Sequence, residues 1–86
     1  MAYFLTNCQV NGFFEDGERR MKFSGPCVQT GKSYSVTVPA SGVEDYVIRG
    51  QKMQEAFPSL STDDREFLIS GFSPEGWESV FGSDDF

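Results

Sequence analysis

The apolar side chains of this chain change their spacing once, at Pro39, and the change separates two kinds of secondary structure. Before Pro39 they alternate with polar residues, most clearly where Tyr34, Val36 and Val38 share one face of residues 33–38. A period of two residues predicts β-strands. After Pro39 the apolar residues recur at every third or fourth position, which predicts helices. The sequence therefore predicts an α+β fold.

The first half is expected to form a β-meander or a pair of hairpins over residues 2–38. Turn signals stand at Asn11-Gly12 and at Glu15-Asp16-Gly17. Gly25-Pro26 interrupts the alternation, and proline at this place favours a strand start or an edge position. A small antiparallel sheet is the expected product.

The second half is expected to form about three short helices that pack on the sheet. Ser41 with Glu44 matches a capping box, and Ser61 and Ser73 each precede a further helical segment. One domain is expected, with a β-rich part at 1–38, a helical part at 41–82 and an acidic tail at 83–86.

Size and charge exclude several classes of function. With 86 residues the chain is too short for a (β/α)8 barrel or a doubly wound nucleotide-binding domain. Its net charge is -6, and residues 44–86 alone carry ten acidic and three basic side chains. Such a segment repels phosphate backbones and attracts basic surfaces, which disfavours direct nucleic-acid binding. The absence of a long apolar run predicts no membrane helix, and we expect a cytoplasmic protein with reduced thiols.

Catalytic constellations are weak throughout the sequence. Histidine is absent, and the two cysteines, Cys8 and Cys27, form no close pair that would suggest a metal site. Gly31-Lys32-Ser33 resembles the end of a phosphate-binding loop, but Pro26 stands where the first glycine is required. We therefore predict no enzyme, no metal and no cofactor, and we interpret Cys27 as a small buried apolar residue.

The candidate binding residues are carboxylates of the helical half together with one aromatic ring. Acidic residues at helix starts are explained most simply as caps and partners of the helix dipole, but the same carboxylates can also face a basic partner. Arg65 either lies on a solvated face or pairs with a buried carboxylate. Phe72 is either an interface residue or a contact that follows a helix stop at Gly71. The candidate partner-binding residues are Asp63, Asp64, Glu66, Glu75, Glu78, Asp84, Asp85 and Phe72.

A longer motif resembles a group of small bacteriophage and prophage proteins. It comprises residues 54–71 (QEAFPSLSTDDREFLISG), followed by Trp77 and Phe81, and residues 27–36 also fit the group. The resemblance implies a viral source and no particular activity. Some members of the group carry a cysteine pair before the aromatic residue, which would form a metal site with the upstream cysteine. Ser73-Pro74-Glu75-Gly76 occupies that place here, so the resemblance implies no metal for this chain.

Two hypotheses of function follow. In the first, the chain is a phage-type interaction protein that binds a basic host protein through its acidic helical face. It would inhibit or redirect this partner, for example a nucleic-acid-binding or antiviral-defence component. In the second, the chain is an assembly or accessory protein that self-associates through a sheet edge or exposed phenylalanines. The sequence leaves the oligomeric state open.

Overall fold

A computed structural model describes residues 2–82 of the chain, and its side chains as far as residue 80. The first half forms one antiparallel sheet in the order β1-β2-β3. The strands are β1 (Gln9–Glu15), β2 (Glu18–Pro26) and β3 (Ser33–Pro39). Four short helices follow, namely α1 (Ala40–Val47), α2 (Met53–Ala56), α3 (Thr62–Ser70) and α4 (Pro74–Trp77), and a π-helical turn spans Glu78–Gly82. The predicted α+β class is confirmed.

A two-residue loop joins β1 to β2. Asp16 and Gly17 have φ angles of 53° and 79°, which match the left-handed backbone that a type I′ hairpin turn requires. The predicted turn at Glu15-Asp16-Gly17 is therefore confirmed. The turn predicted at Asn11-Gly12 is wrong, because both residues lie within β1 and Gly12 pairs with Met21.

The N-terminal residues are helical and buried, contrary to the predicted strand. Tyr3–Leu5 is a single 3₁₀ turn. The Phe4 ring packs edge-on against Phe23 of β2 with centroids 4.8 Å apart. The Tyr3 ring packs similarly on Phe67 of α3 at 5.5 Å. Long-range burial of these two rings decides the local conformation, which the weak alternation could not indicate.

The ends of several elements differ from the expectation. The capping box at Ser41 is wrong, because α1 begins one residue earlier and is preceded directly by Pro39. Pro26 ends the central strand β2 instead of starting a strand or lying on an edge strand. The predicted caps at Ser61 and Ser73 are confirmed, since each side chain accepts a backbone N–H from the first turn of its helix.

The core lies between one face of the sheet and the helices. Phe23, Val36 and Val38 point from β2 and β3 into it, and Phe57, Phe67 and Leu68 enter from the helical half. The Tyr34 ring meets Phe67 at 4.9 Å and so joins β3 to α3. The strand β1 does not share this burial, because all seven of its residues are exposed.

Candidate functional site

The first turn of α3 places two carboxylates at a well-capped helix start. The Ser61 hydroxyl accepts the backbone N–H of Asp64 at 3.2 Å, which satisfies one of the free amides of the first turn. Asp63 and Asp64 lie in this first turn, where the partial positive charge of the helix N-terminus stabilises negative charge. Asp63 is exposed and Asp64 is half-buried. Capping therefore accounts for where the helix begins, and it leaves the Asp63 carboxylate open to solvent.

Tyr34 connects this helix start to the sheet. Its hydroxyl donates a hydrogen bond of 2.8 Å to the Asp64 carboxylate. Burial, the hydrogen bond to Asp64 and the negative charges of Asp64 and Asp63 together raise the pKa of Tyr34 to about 12. Both carboxylates disfavour a further negative charge beside them, so the phenol keeps its proton at pH values above its ordinary pKa of 10.0. The region around Tyr34 is thus electronegative.

Of the remaining acidic residues of the predicted set, one lies on the same helix and the others lie further along the chain. Glu66 is half-buried on α3, and Glu75 and Glu78 are exposed in and after α4. Lys32 directly precedes β3, and its ammonium group lies 3.2 Å from the Glu75 carboxylate. Lys32 therefore partly neutralises the charge of Glu75. Asp84 and Asp85 lie outside the described residues.

Among the described residues, Arg65 pairs with no carboxylate. Its guanidinium group donates to the backbone carbonyl of Leu60 at 2.8 Å, and the side chain is half-buried. Of the two alternatives for Arg65, the buried ion pair is wrong, because the guanidinium group donates to the carbonyl of Leu60 in the turn before α3. Asp63, Asp64 and Glu66 consequently receive no ion pair from Arg65.

The ion pairs in the described part of the chain all involve carboxylates that lie outside α3. They join Arg20 to Glu15 and Glu18, Lys32 to Glu75, and Arg49 to Asp45. Within residues 2–80, therefore, α3 keeps three carboxylates without a cation at ion-pair distance. A partner supplying lysine or arginine would meet uncompensated charge at this helix.

Phe72 has a neighbour inside the protein. Its ring lies 5.2 Å from that of Trp77, and both side chains are half-buried. Phe72 follows Gly71, which ends α3 in the left-handed conformation with φ 87°. The ring therefore contacts the helical layer after the stop at Gly71, and its role at an interface stays a prediction. The side chain of Phe81 lies outside the described residues.

Sequence reasoning missed the environment of Cys27. Its Sγ accepts the backbone N–H groups of Gln29, Thr30 and Ser73 at 3.4, 3.5 and 3.3 Å, and the residue is 2% exposed. Burial alone raises the pKa of the thiol, but hydrogen bonds from Ser73 and Thr30 outweigh burial and lower the pKa to about 6. Cys27 is therefore buried, as expected, but its sulfur also accepts hydrogen bonds from the backbone. The tight turn Thr30-Gly31-Lys32 was the available signal.

Metal-binding clusters and membrane-spanning helices were both sought among the described residues. Between residues 2 and 80, no three cysteine or carboxylate side chains lie close enough together to hold a metal ion. Cys8 and Cys27 are both free thiols. None of the helices described for this chain has the length and apolar character needed to cross a bilayer.

Comparison with known proteins adds no relative. No family model, no curated protein and no solved structure matches this chain.

Proposed function

We propose that this protein is a noncatalytic interaction protein that binds a basic surface of another protein through the acidic face of α3. The observation that carries the proposal is the charge of Asp63 and Glu66, which lie one helical turn apart on one side of α3 and have no ion-pair partner within residues 2–80. Asp64, which accepts the Tyr34 hydroxyl, adds negative charge to the same helix. Carboxylates without internal cations keep their electrostatic attraction available to a partner. Binding of this kind inhibits or redirects the partner by covering its basic site.

Charge acts mainly on the rate of encounter in such a complex. The net charge of -6 steers a cationic protein towards the chain, and salt weakens this steering. Affinity requires apolar contacts as well. Ile69, which is 46% exposed on α3, lies one helical turn after Glu66 and supplies such a contact. Phe72 supplies a smaller one, because Trp77 covers part of its ring.

The class of partner follows from the charge and from the resemblance to phage proteins. A host protein with a cationic surface, such as a nucleic-acid-binding or antiviral-defence component, fits both. The proposed place of action is the cytoplasm of the host cell. Nucleic acid itself is not the proposed ligand, because phosphate groups and α3 repel each other.

The test compares two double variants that change the charge equally. Asp63→Asn/Glu66→Gln removes two charges from the acidic face, and Asp64 stays because its carboxylate accepts the Tyr34 hydroxyl. Glu44→Gln/Glu55→Gln removes two exposed charges from α1 and α2 and is the matched control. Partners are captured from host lysate at low and high salt, identified by mass spectrometry and titrated as purified proteins.

The expected result is a specific protein whose affinity falls about tenfold with Asp63→Asn/Glu66→Gln, since each charge contributes up to about 1 kcal/mol. The control variant and the wild type should bind it equally, and salt should weaken both. Equal binding by the two variants, or binding that salt does not change, would show that the acidic face is not the contact surface.

A further inference from the structure

The outer edge of β1 carries a row of backbone groups that no part of the described chain uses. The sheet order is β1-β2-β3, so β1 is hydrogen-bonded on one side only. Natural edge strands are usually protected by lysine, proline or a bulge. Between Gln9 and Glu15 there is no lysine, arginine or proline, and the pairing with β2 runs from one end to the other without a bulge. This edge is therefore open to another strand.

The hairpin geometry determines which backbone groups point outwards. In a hairpin with a two-residue loop, the residues that flank the loop form a hydrogen-bonded pair, here Glu15 and Glu18. Because hydrogen-bonded pairs alternate along an antiparallel ladder, every second residue of β1 points its N–H and C=O away from β2. These residues are Val10, Gly12 and Phe14.

The same three residues share the face of the sheet that carries the core. Val10 pairs with Phe23, and Gly12 pairs with Met21, whose other neighbour is Val38. The helices cover Phe23 and Val38 but not β1, so Val10 is 54% exposed and Phe14 is 73% exposed. The open edge and the uncovered apolar surface thus coincide.

We propose that β1 pairs antiparallel with β1 of a second copy of this chain, with Gly12 facing Gly12 across the two-fold axis. In this register Val10 of one copy lies opposite Phe14 of the other, and each pair exchanges both backbone hydrogen bonds. Pairs of a β-branched and an aromatic residue are favourable across strands. Glu15 lies opposite Gln9, so no like charges meet. The strand is self-complementary in this register.

A second copy fits this edge better than the edge of β3. On the core face of β3, Val36 and Val38 are already buried and Tyr34 is half-buried against Phe67, so a strand added there covers less apolar surface of that face than one added at β1. Pairing at β1 gives a continuous sheet of both copies with the helices on one side. The exposed Val10 side chain of each copy then meets Phe14 of the other copy between the two helical layers. The proposal does not involve α3 and is independent of the proposed function.

A proline at Gly12 tests the backbone pairing. Its N–H points outwards, so Gly12→Pro removes a donor of the dimer and none of the β1–β2 ladder, at a position where edge strands tolerate proline. A Cβ at this position has no neighbour closer than 4.0 Å, so Gly12→Ala is the matched control that keeps the donor. Sedimentation equilibrium should show that the wild type forms a dimer and that the alanine variant dimerises with similar affinity. The dimerisation affinity of the proline variant should be about thirtyfold lower, because two hydrogen bonds are lost.

A second pair of variants and a measurement on the wild type protect the test from misfolding. Phe14→Lys should weaken the dimer, whereas Ser35→Lys, which adds the same charge at an exposed residue of β3 opposite Ser24, should leave it intact. Hydrogen exchange followed by NMR should show protection of the Gly12 amide that increases with protein concentration. A wild-type monomer at all concentrations, or a dimer with a freely exchanging Gly12 amide, would overturn the proposal. So would an edge occupied by a strand of a different protein.

Discussion

The hydroxyl of Tyr34 in β3 donates a 2.8 Å hydrogen bond to the carboxylate of Asp64 in α3. Thirty residues separate the two along the chain, and the bond holds the acidic helix start against the sheet. Tyr34 also packs its ring on Phe67, so the same side chain supports the core and contacts the candidate site. The position of the acidic face therefore depends on the sheet.

We predict that Tyr34→Phe lowers the free energy of unfolding by about 1–2 kcal/mol, because the half-buried Asp64 carboxylate loses a donor. Urea denaturation measures this change. Asp64→Asn keeps an acceptor and removes a charge, so the Tyr34 pKa should fall from about 12 but stay above its ordinary value of 10.0, since burial is the largest cause of the shift. NMR titration of the tyrosine ring measures it, and an unchanged pKa would contradict the assigned role of Asp64.

The Cys27 thiol should make stability depend on pH. Its pKa is about 6 in the folded chain against an ordinary 9.0, so between these values the unfolded chain binds more protons than the folded chain. The free energy of unfolding should therefore rise with pH over this range, and the contribution should be lost as pH falls through 6. Thermal unfolding of the wild type and of Cys27→Ala measures the difference in slope.

Cys8→Ser is the control for this pH dependence. Burial raises the pKa of Cys8, so its ionisation opposes folding only as pH rises above 9.0. The slope between pH 6 and 9 should survive in Cys8→Ser and disappear in Cys27→Ala. The same slope in both variants would assign the dependence to another group.

Gly71 should tolerate alanine much less well than Gly31. Both residues have a left-handed backbone, with φ 87° and 77°, and alanine in that conformation costs about 1–2 kcal/mol. A Cβ at Gly71 would also lie 2.8 Å from Tyr3 and from Val28, whereas a Cβ at Gly31 meets nothing within 4 Å. Urea denaturation should show a clearly larger loss for Gly71→Ala. Equal losses would mean that the chain relieves the overlap at no cost.

Ser61→Ala should cost about 1 kcal/mol, because the Asp64 amide loses its acceptor at the start of α3. Ser59→Ala, a change of an exposed serine in the preceding turn, should be nearly neutral. Chemical denaturation of the two variants measures the difference. A neutral Ser61→Ala would show that solvent replaces the cap.

Local chemistry made several features of the fold predictable. The Asp16-Gly17 turn, the caps at Ser61 and Ser73, and the stop at Gly71 each depend on a few neighbouring residues, so the sequence indicates them directly. The alternation at β3 and the helical spacing after Pro39 predicted the α+β class for the same reason. The excess of acidic residues in the helical half can also be read directly from the sequence.

Contacts between distant residues decided the rest. The turn at Tyr3–Leu5 forms because its rings are buried by Phe23 and Phe67, and no local pattern records that burial. Lys32 forms an ion pair with Glu75, whereas Asp63 has no ion pair within the described residues. A count of charges along the sequence cannot distinguish these two carboxylates. The donors around Cys27 come from two segments that only folding brings together. Sequence by itself determined the α+β class, the Asp16-Gly17 turn, the two serine caps and the sign of the charge, because turns, caps and periodicity are local. Tertiary structure decided which carboxylates remain uncompensated and which strand stays uncovered, because both depend on distances between remote parts of the chain.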